Sequence, residues 1–114
     1  MSIFDLLKRK EGASHTGELQ NRRTSSGLRF QILDVFSITG RGIVVVGNFE
    51  QGTIHVGDEI ILSRVDGRER VVVIGGIEKF KQGMIESASQ GENVGVFLKD
   101  ITKDDVAPGD ILTR

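Results

Sequence analysis

Cysteine is absent from the 114 residues, which removes disulfides, thiolate metal sites and cysteine nucleophiles in one step. Proline occurs once, so the 15 glycines are not the filler of a disordered Pro/Gly chain. No stretch approaches the roughly 18 apolar residues that span a bilayer, and the first residues are too charged for a signal peptide. Membrane association is not expected, and the cytoplasm is the expected location. A Gly-Lys pair is also lacking. Without it there is no Walker loop, whose lysine neutralises phosphates and whose following hydroxyl binds magnesium. The glycines at 40, 42 and 47 miss the G-x-G-x-x-G spacing because position 45 is Val, and they lie between apolar runs rather than opening a helix. GTP and ATP binding at a phosphate loop is thereby excluded.

What is present is β-branched and punctuated. Phe30 to Ile38, Gly42 to Phe49, Glu59 to Leu62, Arg70 to Ile77, Val94 to Leu98 and Ile111 to Leu112 are short apolar runs separated by turn signals. Their spacing predicts a small closed antiparallel all-β barrel. Thr39-Gly40-Arg41-Gly42 and Asp66-Gly67 are expected to close hairpins, as is Glu50-Gln51-Gly52. Gly75-Gly76 inside a strand predicts a bulge where the barrel turns a corner. Thr102 with Asp105 three residues later predicts one capped helical turn before Pro108-Gly109.

Ahead of the barrel, Ser2 to Lys10 carries Ile3, Phe4, Leu6 and Leu7 at the spacing of one helical face, with Ser2 as a cap. Residues 1–10 are read as a short amphipathic helix available to a partner. Residues 11–27, where only Ala13 and Leu19 are apolar, are read as a linker, and residues 28–114 as the barrel. The formal net charge of -1 hides an asymmetry. Residues 31–114 hold nine Lys/Arg against thirteen Asp/Glu, a net of -4. Such a barrel cannot hold long RNA or DNA by counterion release, so any RNA contact must be local.

Candidate chemistry is sparse. His15 falls in the linker. The Thr53-Ile54-His55-Val56 alternation places Ile54 and Val56 inward and His55 outward, with no nucleophile or orienting partner. Asp58 and Glu59 point to opposite faces, while Asp104 and Asp105 suit a solvated first helical turn. Arg64, Arg68, Arg70, Lys79 and Lys81 are interleaved by Asp66, Glu69 and Glu78, a mixed surface rather than a basic patch. No metal site, catalytic residue or cofactor is assigned.

One stretch carries more. Asp34 to Glu59, DVFSITGRGIVVVGNFEQGTIHVGDE, resembles the opening of the second domain of elongation factor Tu and related translational GTPases. Gly76 to Phe80, Gly91 to Leu98 and Pro108 to Leu112 look like that domain's later strands. The resemblance spans about Phe30 to Leu112 and has no counterpart of the GTPase domain, so it implies a non-catalytic binding module without GTP hydrolysis.

In that family the barrel presents a pocket for the 3' adenosine of aminoacyl-tRNA. Carried over by position, Ile38, Gly40, Val44 and Phe97 line the adenine site and Glu78 meets the ribose hydroxyl. Asp34 belongs to the opening motif, while Phe36, Phe80 and Asn93 border the amino-acid side. Leu33 stands where the family commonly has Glu, and Val46 where Thr is common. Loss of that carboxylate removes a partner for the aminoacyl ammonium. The same apolar residues also suit plain barrel packing. Two functions remain open at this point: docking on a protein partner or ribosome-associated component, or binding of an RNA 3' end.

Overall fold

In β1 (Arg29–Ile38) side chains alternate between faces up to Leu33, as extended backbone requires, and Phe30 and Ile32 are buried together. The computed structural model describes residues 27–114. The amphipathic segment with Ile3, Phe4, Leu6 and Leu7, together with His15 and nearly all of the 11–27 stretch, lies outside the described residues.

Following β1 come β2 (Gly42–Gln51), β3 (Thr53–His55), β4 (Glu59–Ser63), β5 (Glu69–Lys79), β6 (Gly83–Ile85), β7 (Ser87–Ser89), β8 (Val94–Leu98) and β9 (Ile111–Thr113). The pairing order β4-β9-β1-β2-β8-β5 is closed by β4 against β5, giving a six-strand antiparallel barrel, with β6 attached to β5 and β3 paired with β7. The expected all-β closed barrel is the observed fold.

The inward residues form one core. Ile43 and Val45 from β2, Ile60 and Leu62 from β4, Ile74 and Ile77 from β5 meet the inner residues of β1, β8 and β9. Phe30 meets Phe49 edge to face at 5.6 Å between ring centres, a geometry the aromatic quadrupole favours. Each such aliphatic side chain withdrawn from water contributes about 1.5–3 kcal/mol.

Two bulges reset which residues face inward. In β1 the register passes from Ile32↔Gly47 directly to Asp34↔Val46, leaving Leu33 as the extra residue. Val35 therefore points inward, and Phe36 and Ile38 point outward. In β5 the register steps from Ile74↔Leu98 to Gly76↔Phe97, with Gly75 as the extra residue. Ile77 then faces the core, and Glu78 faces out. The expected bulge at Gly75-Gly76 is present; the one at Leu33 carried no glycine to announce it.

The hairpins at Thr39 to Gly42 and Asp66-Gly67 form as expected between β1 and β2 and between β4 and β5. Glu50-Gln51-Gly52 does not close a hairpin. Gly52, at φ +96°, passes β2 into β3, whose partner is β7. Val56 is exposed rather than inward, because the strand ends at His55 and the chain turns at Gly57, φ +96°. Asp58 Oδ2 fixes that turn by accepting from His55 N at 2.8 Å. The Thr102 capping box is present on the 3-10 turn Lys103–Asp105. The amide of Thr102 donates to the Asp105 carboxylate and holds its pKa below the ordinary aspartate value.

Candidate functional site

Because β2 is apolar at Ile43, Val44, Val45 and Val46 without interruption, it must be covered on both faces. The structure supplies the second cover. Outside the barrel Val44, Val46 and Phe97 are buried as a separate cluster, with Phe36 and Ile38 half-buried against it. The register explains the grouping: Phe36 pairs with Val44, which pairs with Phe97, on three neighbouring strands. One row further along, Asp34, Val46, Gly95 and Glu78 stand side by side across β1, β2, β8 and β5.

Glu78 is a buried carboxylate, 6% exposed, at the margin of this outer face. Its Oε1 lies 4.0 Å from Arg41 Nη1, and the Arg41 guanidinium sits 5.3 Å from the centre of the Phe97 ring, within cation–π range. Arg41 is presented by the β1–β2 hairpin, where its amide donates to Ile38 O at 2.8 Å and Gly40 adopts φ +80°. The face is thus apolar at its centre and ionic at one margin.

Seven of the nine sequence-selected residues share this surface or its rim: Asp34, Phe36, Ile38, Gly40, Val44, Glu78 and Phe97. Phe80 and Asn93 lie beyond the ends of β5 and β8, joined by the bond from Phe80 N to Asn93 O at 3.1 Å. Phe80 is 44% exposed, with Lys81 Nζ 5.5 Å over its ring. Lys79 nearby is paired with Glu92 at 3.1 Å. That ammonium, aided by the Ser89 amide, holds the Glu92 carboxyl below the usual glutamate range.

The interleaved cations behave as a mixed surface. Arg64 pairs with Asp110, Arg68 with Asp66 and Arg70 with Asp105. His55 is exposed, with its ring 3.6 Å from the Asp58 carboxylate. Among the described residues no group of three or more His, Asp or Glu is placed to hold a metal ion, and no helix is long and apolar enough to cross a membrane.

Sequence reasoning did not include Arg41 or Met84 in the site. Arg41 stands in the hairpin motif and was legible there as a turn residue only. Met84 lies opposite Glu78 in β6, a three-residue strand without an apolar signature.

A closed six-strand barrel with an apolar outer face beside the first hairpin defines a β-barrel module of the translation-factor type. The family model of elongation factor Tu domain 2 matches residues 42–113, and the chain belongs to that family. β1, which carries Asp34, Phe36 and Ile38, precedes the matched residues.

Proposed function

We propose that the protein is a non-catalytic binding module and that its outer face on β1, β2 and β8 docks a protein partner or a component of the translation machinery. The observation that carries this reading is the second apolar cluster. A monomeric barrel needs one core; Phe36 and Ile38 stand half-buried at the rim of another. Leu33, 53% exposed beside Asp34, and Met84, 55% exposed opposite Glu78, extend the apolar surface. Apolar surface of this kind on an acidic barrel suits a protein interface better than a polyanion.

Cosedimentation with purified ribosomal subunits at fixed salt tests the reading. The wild type is expected in the pellet. Ile38→Asp, at a half-buried rim position, is expected to weaken binding by about 30-fold, the effect of losing a contact worth about 2 kcal/mol. A wild type that stays in the supernatant removes ribosomal docking from the proposal.

A second reading is favoured by Glu78, which the Gly75 bulge turns outward beside Arg41 and Phe97. These groups suit the terminal nucleoside of an RNA 3' end, with the carboxylate accepting from a ribose hydroxyl. Such a bond is worth about 1.5–3 kcal/mol, so Glu78→Ala should weaken binding of a short RNA ending in CCA by roughly tenfold to a hundredfold. Phe36→Ala should cost at least as much, with its stability measured alongside. Because Leu33 offers no carboxylate, esterifying an amino acid to the RNA should change affinity little. Variants that bind like wild type would dismiss this reading.

GTP and ATP are expected not to bind tighter than about 100 μM, or about 5.5 kcal/mol, since the chain has no phosphate loop. Calorimetry with magnesium reads this directly, and a tighter saturable isotherm would contradict it.

A further inference from the structure

A strand with one face on the core and the other in water alternates apolar with polar residues, and β4, β5 and β9 depart from that rule on one side of the barrel. Ile60 and Leu62 of β4, Val72 and Ile74 of β5 and Leu112 of β9 fill the core, so Ile61, Val71, Val73 and Ile111 point outward. The register sets Ile61 between Val71 on β5 and Thr113 on β9. Val71 is 60% exposed, while Ile61, Val73 and Ile111 are half-buried. Two carboxylates frame the patch. Glu59 stands opposite Val73, and Glu69 opposite Ser63, whose hydroxyl donates to it at 3.5 Å. Among the described residues neither Glu59 nor Glu69 is in an ion pair, whereas Glu50, Asp66, Glu92, Asp105 and Asp110 each face a cation at 3.5 Å or less.

The chain itself supplies a segment of matching chemistry. Residues 1–10 carry Ile3, Phe4, Leu6 and Leu7 at the spacing of one helical face, followed by Lys8, Arg9 and Lys10, three cations against Asp5 alone. The place where this segment joins the barrel is beside the patch: Arg29 pairs with Thr113, Thr113 with Ile61, and Ile61 with Val71. Neighbouring strands lie about 4.8 Å apart, so three steps round the barrel make about 14 Å. A chain as long as residues 11–28 has an average end-to-end distance of about 21–25 Å. The tether therefore spans the gap and holds the segment at an effective concentration on the order of millimolar.

We propose that residues 1–10 dock on the β4, β5 and β9 face of their own barrel, with Ile3, Phe4, Leu6 and Leu7 over Ile61 and Val71 and the Lys8 to Lys10 run beside Glu59 and Glu69. The patch shares no residue with the Phe36, Ile38 and Val44 face and does not require that either reading of that face be correct. A second copy of the barrel fits less well, because a two-fold pairing of this patch would bring Glu59 and Glu69 of one copy towards the same carboxylates of the other. A partner that takes the segment must first lift it from the barrel, so its apparent affinity falls by the fraction of chains in which the segment is undocked.

Paramagnetic relaxation in the full chain tests this. The chain has no cysteine, so Ser2→Cys carries a nitroxide at one point only. In dilute solution the label should broaden the amides of Ile61, Val71, Val73 and Thr113 more than those of Leu33, Phe36 and Ile38. Phe4→Asp combined with Leu7→Asp changes no barrel residue and should abolish that pattern. Glu59→Lys combined with Glu69→Lys, both at exposed positions, should lower the docked-to-undocked ratio by about threefold to tenfold, the effect of losing two surface ion pairs. Mixing spin-labelled chain without isotope into isotope-enriched wild type should leave the enriched chain unbroadened. Broadening spread evenly over the barrel, or strongest at Leu33, Phe36 and Ile38, would overturn the proposal. So would a pattern that survives the two aspartates, a ratio unmoved by the two lysines, or broadening passed to the enriched chain, which would make a second copy the occupant.

Discussion

Gly47→Ala is expected to destabilise the barrel by more than about 3 kcal/mol, beyond the usual range for a single added methyl. Gly47 faces the β1 bulge, opposite Ile32. A Cβ there falls on the carbonyl oxygen of Gln31, far inside contact distance, and 3.0 Å from the amide nitrogen of Leu33. Both neighbours are backbone, so no rotamer change relieves the clash. β1 must separate from β2 along the very stretch that turns Phe36 and Ile38 outward. Urea unfolding measures the loss, with Gly67→Ala as the control. Gly67 has φ +96° and open space around it, so its substitution costs only the backbone term, about 1–2 kcal/mol. If Gly47→Ala is no worse than Gly67→Ala, the close packing of strands at the bulge is not what fixes the outer face.

Asp110→Ala should cost about 3–5 kcal/mol, the usual result of removing one partner from a buried pair. Asp110 is 1% exposed. Its Oδ1 accepts from Val65 N at 3.0 Å and its Oδ2 from Ala107 N at 2.8 Å. Arg64 Nε lies 2.7 Å from Oδ2 but off the line of a hydrogen bond, so the contact is ionic. Alanine strands two amides and a largely buried guanidinium at once. The backbone at this point also ties β9 to β1, through Ile32 N to Asp110 O at 2.9 Å and Gly109 N to Ile32 O at 2.8 Å. Thermal and denaturant unfolding should agree on the loss. Asp110→Asn retains an acceptor for one amide and should fall between the variant and wild type. A change below about 1 kcal/mol for Asp110→Ala would mean that water replaces the carboxylate at this end of the barrel.

The six barrel strands were legible because each is a run of β-branched residues ended by a residue with a defined turn geometry. β3 showed as the Thr53–Val56 alternation, which runs one residue past the strand's end, and β6 and β7 did not show. Gly83-Met84-Ile85 and Ser87-Ala88-Ser89 hold too few apolar positions for a period to show. Turn chemistry misled at Gly52, since a positive φ specifies a local conformation but not which strand comes next to which.

The outer face was legible in part. Consecutive apolar residues from Ile43 to Val46 require cover on both sides, and the motif resemblance pointed to Phe36, Ile38 and Phe97. The contact of Lys99 with Gly75 was not, because the two meet only where a bulge slips the β5 register by one residue. Asp110 was visible as part of a closing-strand motif, yet its burial depends on Val65 and Ala107, 45 and three residues away.

The closed ring of strands has a bearing on how such a module behaves in crowded solution. Much of the ring's backbone bonding is spent on neighbouring strands, and the stretches with a single strand partner, such as Asp34 to Ile38 of β1 against β2, are short. Such stretches are shorter than the roughly six- or seven-residue segments that template fibrils. Limits on edge pairing here come from topology rather than from high net charge. A sequence can therefore carry apolar side chains such as Leu33 and Met84 on its surface, and use them for recognition, while offering neighbouring copies little strand edge to extend.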